Sequence, residues 1–160
     1  MANLKILIVD DIMIMRKALK DILLAQDKAN PHLVVEAANG TDALFMYKEV
    51  KPDVVFLDIV MPDYNGKALV KEFMEIDSEA RIIMCTGSSD RASIIECVRS
   101  GAKDYVVKPP NAGRVYKALE KVMSGGKLTG DEAAAEIADE AAAAAAADAE
   151  ADADAAAEAD

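Results

Sequence analysis

The chain has 160 residues, 52% of them hydrophobic, which suits one full core and is short for two. No apolar run approaches the roughly 20 residues of a membrane span, and the opening MANLKILIVDD enters a strand directly with no export signal, so a soluble, cytoplasmic protein is expected. The net charge of −11 sits in one segment: residues 131–160 hold 18 Ala, 11 Asp or Glu and Ile137, leaving 18 acids against 18 Lys and Arg in residues 1–130, so the folded part is formally neutral and lacks the basic stripe of a nucleic-acid binder.

The first 125 residues alternate short apolar runs with amphipathic segments. LKILIV reads as strand one, followed by a helix over 12–27 with Ile12, Met15, Leu19, Ile22 and Leu23 at helical spacing. LVVEA is strand two, with a helix over about 41–50. DVVFLD is strand three, with a helix over 66–77, and RIIMCT is strand four, with a helix over 89–100. DYVVK is strand five; Asn111 then caps a last helix that runs to Met123 and stops at Gly125 and Gly126. Strict β–α alternation with continuous apolar strands predicts an α/β fold, a doubly wound parallel sheet of the flavodoxin-like order 2-1-3-4-5 with five helices.

This divides the chain into a domain over 1–125, a glycine-containing linker over 126–130, and a low-complexity tail over 131–160. Alanine favours helix in the tail, but a run of acids without one base offers repulsive i,i+4 pairs. A disordered segment or fraying helix is expected, and with Ile137 as its one sizeable apolar group it is not expected to bury a face against the domain. Cys85 and Cys97 lack zinc-like spacing and read as buried thiols. His32 has no ligand partners in sequence and is assigned no role.

The strand ends carry the chemistry. In open α/β sheets, ligands bind where loops leave the carboxyl ends of the strands. Strand three ends on Asp58 and strand one on Asp10 and Asp11, and the predicted order makes these strands neighbours. Two such charges about 4 Å apart repel by roughly 4 kcal/mol at an effective dielectric near 20, so three acids on one edge call for a cation. Oxygen ligands with an incomplete shell suit Mg²⁺. Strand four brings Thr86 to the same rim and strand five brings Lys108.

VDD at 9–11, DIVMPDYNG at 58–66, TG at 86–87 and GAKDYVVKP at 101–109 together resemble the receiver domain of two-component response regulators, over about residues 3–124. The resemblance implies that Asp58 accepts a phosphoryl group from a phosphohistidine on a sensor histidine kinase. Asp11, Asp58 and the backbone carbonyl of Val60 would bind Mg²⁺, with Asp10 close by or acting through water. Thr86 and Lys108 would contact the phosphoryl oxygens, and Gly87 would leave room for the donor. Lys108–Pro109 matches the family's usual cis bond, while Pro110 departs from the commoner Phe or Leu. A protein of this kind is a phosphoacceptor and not an enzyme with a separate substrate.

The resemblance further implies a switch in which Thr86 moves inward and Tyr105 turns from exposed to buried, reshaping the surface of the fourth helix, fifth strand and fifth helix. With no output domain expected after Gly126, that surface would bind a downstream protein. The first-helix segment MIMRKALKDIL resembles chemotaxis-type receivers, pointing to a motor-switch or chemotaxis component. A phosphorelay intermediate serving a histidine phosphotransfer protein uses the same residues, and a phosphorylation-independent adaptor is the third reading. Val60 and Ser88 occupy positions that tune acyl-phosphate lifetime in the family. Neither is a good base or amide for orienting water, so slow self-dephosphorylation is expected.

Overall fold

The computed structural model describes residues 3–87 and 91–137, Arg91 in its backbone only. Five parallel strands, β1 (Lys5–Val9), β2 (Leu33–Ala37), β3 (Val54–Leu57), β4 (Ile82–Thr86) and β5 (Asp104–Val107), lie in the order β2-β1-β3-β4-β5. The connections are α1 (Met13–Ala25), α2 (Gly40–Val50), α3 (Gly66–Ile76) and α4 (Arg91–Ser100), and α5 (Ala112–Met123) follows β5. The fold is the flavodoxin-like sheet expected from the pattern. The expected start of the fourth helix, at 89–90, lies outside the described residues, as does Ser88.

The period-2 alternation of each strand divides the core in two. Ile6, Ile8, Val54, Phe56, Ile83, Cys85 and Val106 point to one face, covered by Leu19 and Leu23 of α1 and Val115, Ala118, Leu119 and Val122 of α5. Leu7, Val9, Val55, Leu57, Ile82, Met84 and Tyr105 point to the other, under α2, α3 and α4. Asparagines start three of the helices: Asn39 accepts from the Asp42 amide, Asn65 from that of Lys67 and Asn111 from that of Arg114, satisfying amides that have no intrahelical partner. His32 is buried, accepting at Nδ1 from the Leu4 amide, with Nε2 2.9 Å from Gln26 Oε1, which ties α1 to the start of β1.

Both cysteines are buried thiols, as expected. Burial pushes the pKa of Cys85 up to about 12 and that of Cys97 up to about 11. A thiol-specific reagent at pH 8 is therefore expected to label neither residue in the folded protein and both in denaturant; labelling without denaturant would contradict this burial. In the unfolded chain these thiols ionise near pH 9, so the folded state binds the extra protons above that pH. Stability accordingly falls as pH rises from about 9 toward the folded values.

The tail corrects one expectation. A sixth helix, α6, runs over 130–137, and it does bury a face: Ala133 is fully buried, Ile137 is 6% exposed, and both join Leu128 in the apolar cluster that holds Tyr105. The physical reason is local as well as tertiary. Thr129 and Glu132 form a reciprocal capping box, with the Thr129 amide donating to Glu132 Oε2 at 2.8 Å and the Glu132 amide donating to Thr129 Oγ1 at 3.2 Å. Residues 138–160 lie outside the described part, and the expectation for them stays an expectation.

Candidate functional site

Strand register assembles the site. Val9 pairs with Leu57, so Asp10 and Asp58, the next residue of each chain segment, leave the sheet side by side; the Asp58 amide donates to the Val9 carbonyl at 2.9 Å. Thr86 pairs with Val107, and the Lys108 amide donates to the Thr86 carbonyl at 2.7 Å, which brings β5's exit beside β4's. Asp10, Asp11, Asp58, Thr86 and Lys108 thus stand on one edge, the arrangement expected from the sequence.

Asp10, Asp11 and Asp58 each offer a carboxylate oxygen within 4.8 Å of the others, with Asp10 and Asp58 buried and Asp11 exposed. Lys108 Nζ lies 2.6 Å from Asp10 Oδ2 and 3.2 Å from Asp58 Oδ2. Burial raises the Asp58 carboxyl above its ordinary pKa, Lys108 opposes that rise and Asp10 adds to it. Burial alone would lower the Lys108 pKa, but its hydrogen bond to Asp10 and the charges of Asp58 and Asp10 outweigh this and hold it above the ordinary lysine value. Among the described side chains, one ammonium therefore serves two buried carboxylates, an arrangement short of positive charge.

The loop after β3 is anchored on both sides of Asp58's reach. Ile59 and Met61 are buried, and Val60 between them is 61% exposed, with its amide donating to the Asp58 carboxylate. A lone bridge pairs Val60 with Asn65, and the Gly66 amide donates to the Ile59 carbonyl at 2.7 Å, closing the loop onto α3. Thr86 is fully buried, and a methyl group built on Gly87 meets no atom of the described residues within 4 Å. Lys108–Pro109 is cis.

Two supporting residues have no counterpart in the sequence reading. Arg16 donates from NH1 to the Asp10 carbonyl at 2.6 Å and from Nε to Glu36 at 3.3 Å, fixing the backbone that carries Asp10 and Asp11. Asp63 accepts from the amides of Gly40 and Thr41 and from the Thr41 hydroxyl, tying the loop after Asp58 to the start of α2. An acid one residue after Pro62 in a helix-preceding loop is a capping signal, but its target lies 22 or 23 residues away.

Tyr105 is fully buried here, its ring under the Arg114 guanidinium at 5.1 Å. Arg114 also donates to the Tyr105 carbonyl at 2.8 Å and pairs with buried Asp104 at 3.3 Å. The aromatic that the resemblance makes mobile thus sits in its inward position.

Among known proteins, the response regulator receiver domain family matches residues 6–120. The chemotaxis protein CheY of Thermotoga maritima is 48% identical over 118 residues, 74% of this chain and 96% of that protein; CheY of Bacillus subtilis is 44% identical over 120 residues, 75% and 98%. Among solved structures, the CheX–CheY–BeF₃–Mg complex from Borrelia burgdorferi is similar with a TM-score of 0.68 and 30% identity, over 76% of this chain and 90% of that one. A β3 carboxylate held against two β1 acids and a β5 lysine, on this strand order and with these relatives, places the chain in the response regulator receiver family as a CheY-like receiver of two-component and chemotaxis signalling.

Proposed function

We propose that the protein accepts a phosphoryl group on Asp58 from a sensor histidine kinase in the cytoplasm and, in that state, presents its α4–β5–α5 surface to a downstream chemotaxis or motor-switch protein. The observation that carries this reading is the single lysine shared by two buried carboxylates beside a third acid. Such a site gains most from added positive charge and from a ligand whose oxygens accept the lysine's hydrogen bonds. In the transfer, an Asp58 carboxylate oxygen bonds to phosphorus while the phosphorus–nitrogen bond of the donor phosphohistidine breaks, its electron pair leaving with the imidazole. Lys108, released from Asp58, meets the developing charge on a phosphoryl oxygen, and the Thr86 hydroxyl donates to another. Transfer of this kind depends on positioning and charge neutralisation.

Mg²⁺ fits the donor set. Oxygens on opposite sides of one Mg²⁺ stand about 4 Å apart, and the three carboxylates offer atoms within 4.8 Å of one another. Asp11, Asp58 and the Val60 carbonyl would hold it, with Asp10 beside it, and it would supply the positive charge that brings two anions together. Its binding is expected to stabilise the fold by about 2.7 kcal/mol at 100 times Kd. Thermal melts with and without Mg²⁺ check this: an unshifted Tm, or an undiminished shift in the Asp11→Ala, Asp58→Ala double variant, contradicts the assignment.

Acetyl phosphate with Mg²⁺ tests the acceptor role directly. The expected product is one acid-stable, hydroxylamine-labile phosphoryl group per chain, mapped to Asp58 by reductive trapping and peptide mass spectrometry. Absence of uptake, with beryllofluoride also leaving the amide spectrum unchanged, would favour a phosphorylation-independent adaptor.

A further inference from the structure

The α6 helix does not float on the domain. It crosses the surface made by α4, β5 and α5: Gly130 lies so close to Arg99 of α4 that a Cβ there would sit 2.7 Å from Nε, the Leu128 amide donates to the Lys103 carbonyl at 2.7 Å just before β5, and Glu136 reaches Arg114 of α5 at 3.9 Å. Gly130, Ala133 and Ile137 fall at helical spacing on one stripe, and Ala133 and Ile137 are buried in the cluster that contains Tyr105, Cys97 and Val98. The strand beneath is the sheet's edge. Its exposed backbone groups are taken up by side chains and by this segment: the Tyr105 amide donates to Asp104, Arg114 donates to the Tyr105 carbonyl, and Leu128 takes the Lys103 carbonyl.

We propose that α6 is an internal competitor for this face: it occupies the surface on which an acidic, amphipathic helical segment of a downstream protein docks, and the partner binds as α6 lifts away. That the face carries output rests on the proposed function; that α6 occupies it rests on the contacts above. The chemistry of the occupant defines the partner. Small and aliphatic side chains fill the groove, a carboxylate meets Arg114, and the face offers the cations Arg99, Lys103 and Arg114 to a chain that, beyond Ile137, contains only Ala, Asp and Glu. The seat is also shallow enough to be vacated. Leu128 and Ile137 are the two buried side chains larger than alanine in the described segment after Gly126, and Gly125, at φ +85°, turns the chain out of α5 toward it. A short flexible tether keeps such an occupant at millimolar effective concentration, so it screens out weak binders and yields to a strong one.

The test uses the full chain without a phosphoryl donor. In Ile137→Asp, and independently in Glu136→Lys, which sets like charges together at Arg114, amide exchange at Leu128 is expected to accelerate at least tenfold. Amide resonances of Arg99, Lys103, Tyr105 and Arg114 should shift while those of α1 and α2 stay in place. A synthetic peptide of residues 127–160, added in trans to Ile137→Asp, should return those four resonances toward wild-type positions and bind the wild type at least tenfold more weakly. Unchanged resonances in both variants, a peptide that binds wild type and variant alike, or a wild-type chain that dimerises through exchanged tails would overturn the proposal. A separate arm adds beryllofluoride and Mg²⁺: silence around Asp58 in every variant defeats the phosphoacceptor reading and leaves the occupancy result standing.

Discussion

Asp58→Asn is expected to abolish phosphoryl uptake and yet leave the metal-free protein at least as stable as the wild type. The two effects have separate causes. Uptake fails because an amide oxygen is a poor nucleophile toward phosphorus and the replacement removes the negative charge that helps to hold a cation. Stability is retained because the fold disfavours the ionised carboxyl: burial raises the Asp58 pKa, and Asp10 adds to the rise against Lys108's opposition. Below the unfolded pKa, Asp58 is protonated in both states and costs nothing. As pH rises through the unfolded value toward the raised folded one, the folded state holds the proton longer and stability falls, with the full penalty present above the folded pKa. Asparagine lacks this slope, so its advantage should appear at neutral pH and vanish in acid. Lys108, freed from Asp58 at 3.2 Å, keeps its 2.6 Å partner Asp10. Lys108→Ala should behave oppositely, since it leaves two buried carboxylates with no cation between them, and breaking a buried pair in this way costs about 3–5 kcal/mol. Intact mass after acetyl phosphate and melts in chelator at pH 4 and 7 measure both effects. A phosphorylated Asn variant, or one markedly less stable than wild type at pH 7, would refute the account.

Most of the fold, and the gathering of the candidate site residues on one edge, were legible because each is written locally. Val54, Val55, Phe56 and Leu57 form an unbroken apolar run since both sheet faces are covered, and the run ends where the chain reaches the rim, so the next residue, Asp58, had to stand at the carboxyl edge of the sheet. The same logic delivered Asp10, Thr86 and Lys108. What escaped depends on partners distant in sequence. The pairing of Asp63 with Gly40 and Thr41, and of Arg16 with the Asp10 carbonyl, arises only when the loops meet. Tyr105's inward position depends on Arg114 and on a cluster that includes the tail. For α6, composition spoke louder than pattern: eleven acids suggested a solvated tail, while Thr129-Gly-Asp-Glu132 was a legible helix start and Leu128 a second apolar anchor beside Ile137. An isolated helix of that length is marginal; the groove between α4 and α5 is what makes burying its stripe worthwhile, and no local pattern contains that groove.

Gly66→Ala sets helix propensity against close packing at the site's foundation, and packing is expected to win. Gly66 is the first residue of α3, capped by Asn65, where alanine would ordinarily gain up to about 1 kcal/mol over glycine. A Cβ there, however, would lie 2.6 Å from the Ile59 Cα, 2.8 Å from the Asp58 carbonyl oxygen and 3.0 Å from that of Ile59. These are backbone atoms of the segment that carries Asp58, held inward by the 2.7 Å bond from the Gly66 amide to Ile59, so no side chain can swing aside. Relief requires α3 or the Asp58–Ile59 backbone to move, an overpacking strain typically of about 1–3 kcal/mol, which for a chain of this size lowers Tm by roughly 2–12 °C. Because the displaced backbone positions Asp58 and Val60, phosphoryl uptake from acetyl phosphate should slow even at temperatures where the variant remains folded. Gly113→Ala in α5 is the matched control: its Cβ meets only Asn111 Oδ1 at 3.2 Å, the end of a side chain, so its melting and uptake should stay near wild type. If Gly66→Ala melts at or above the wild-type temperature, the close approach of α3 to the Asp58 loop is not what fixes that loop, and the site's geometry must rest on Asp63 and the Val60–Asn65 bridge instead.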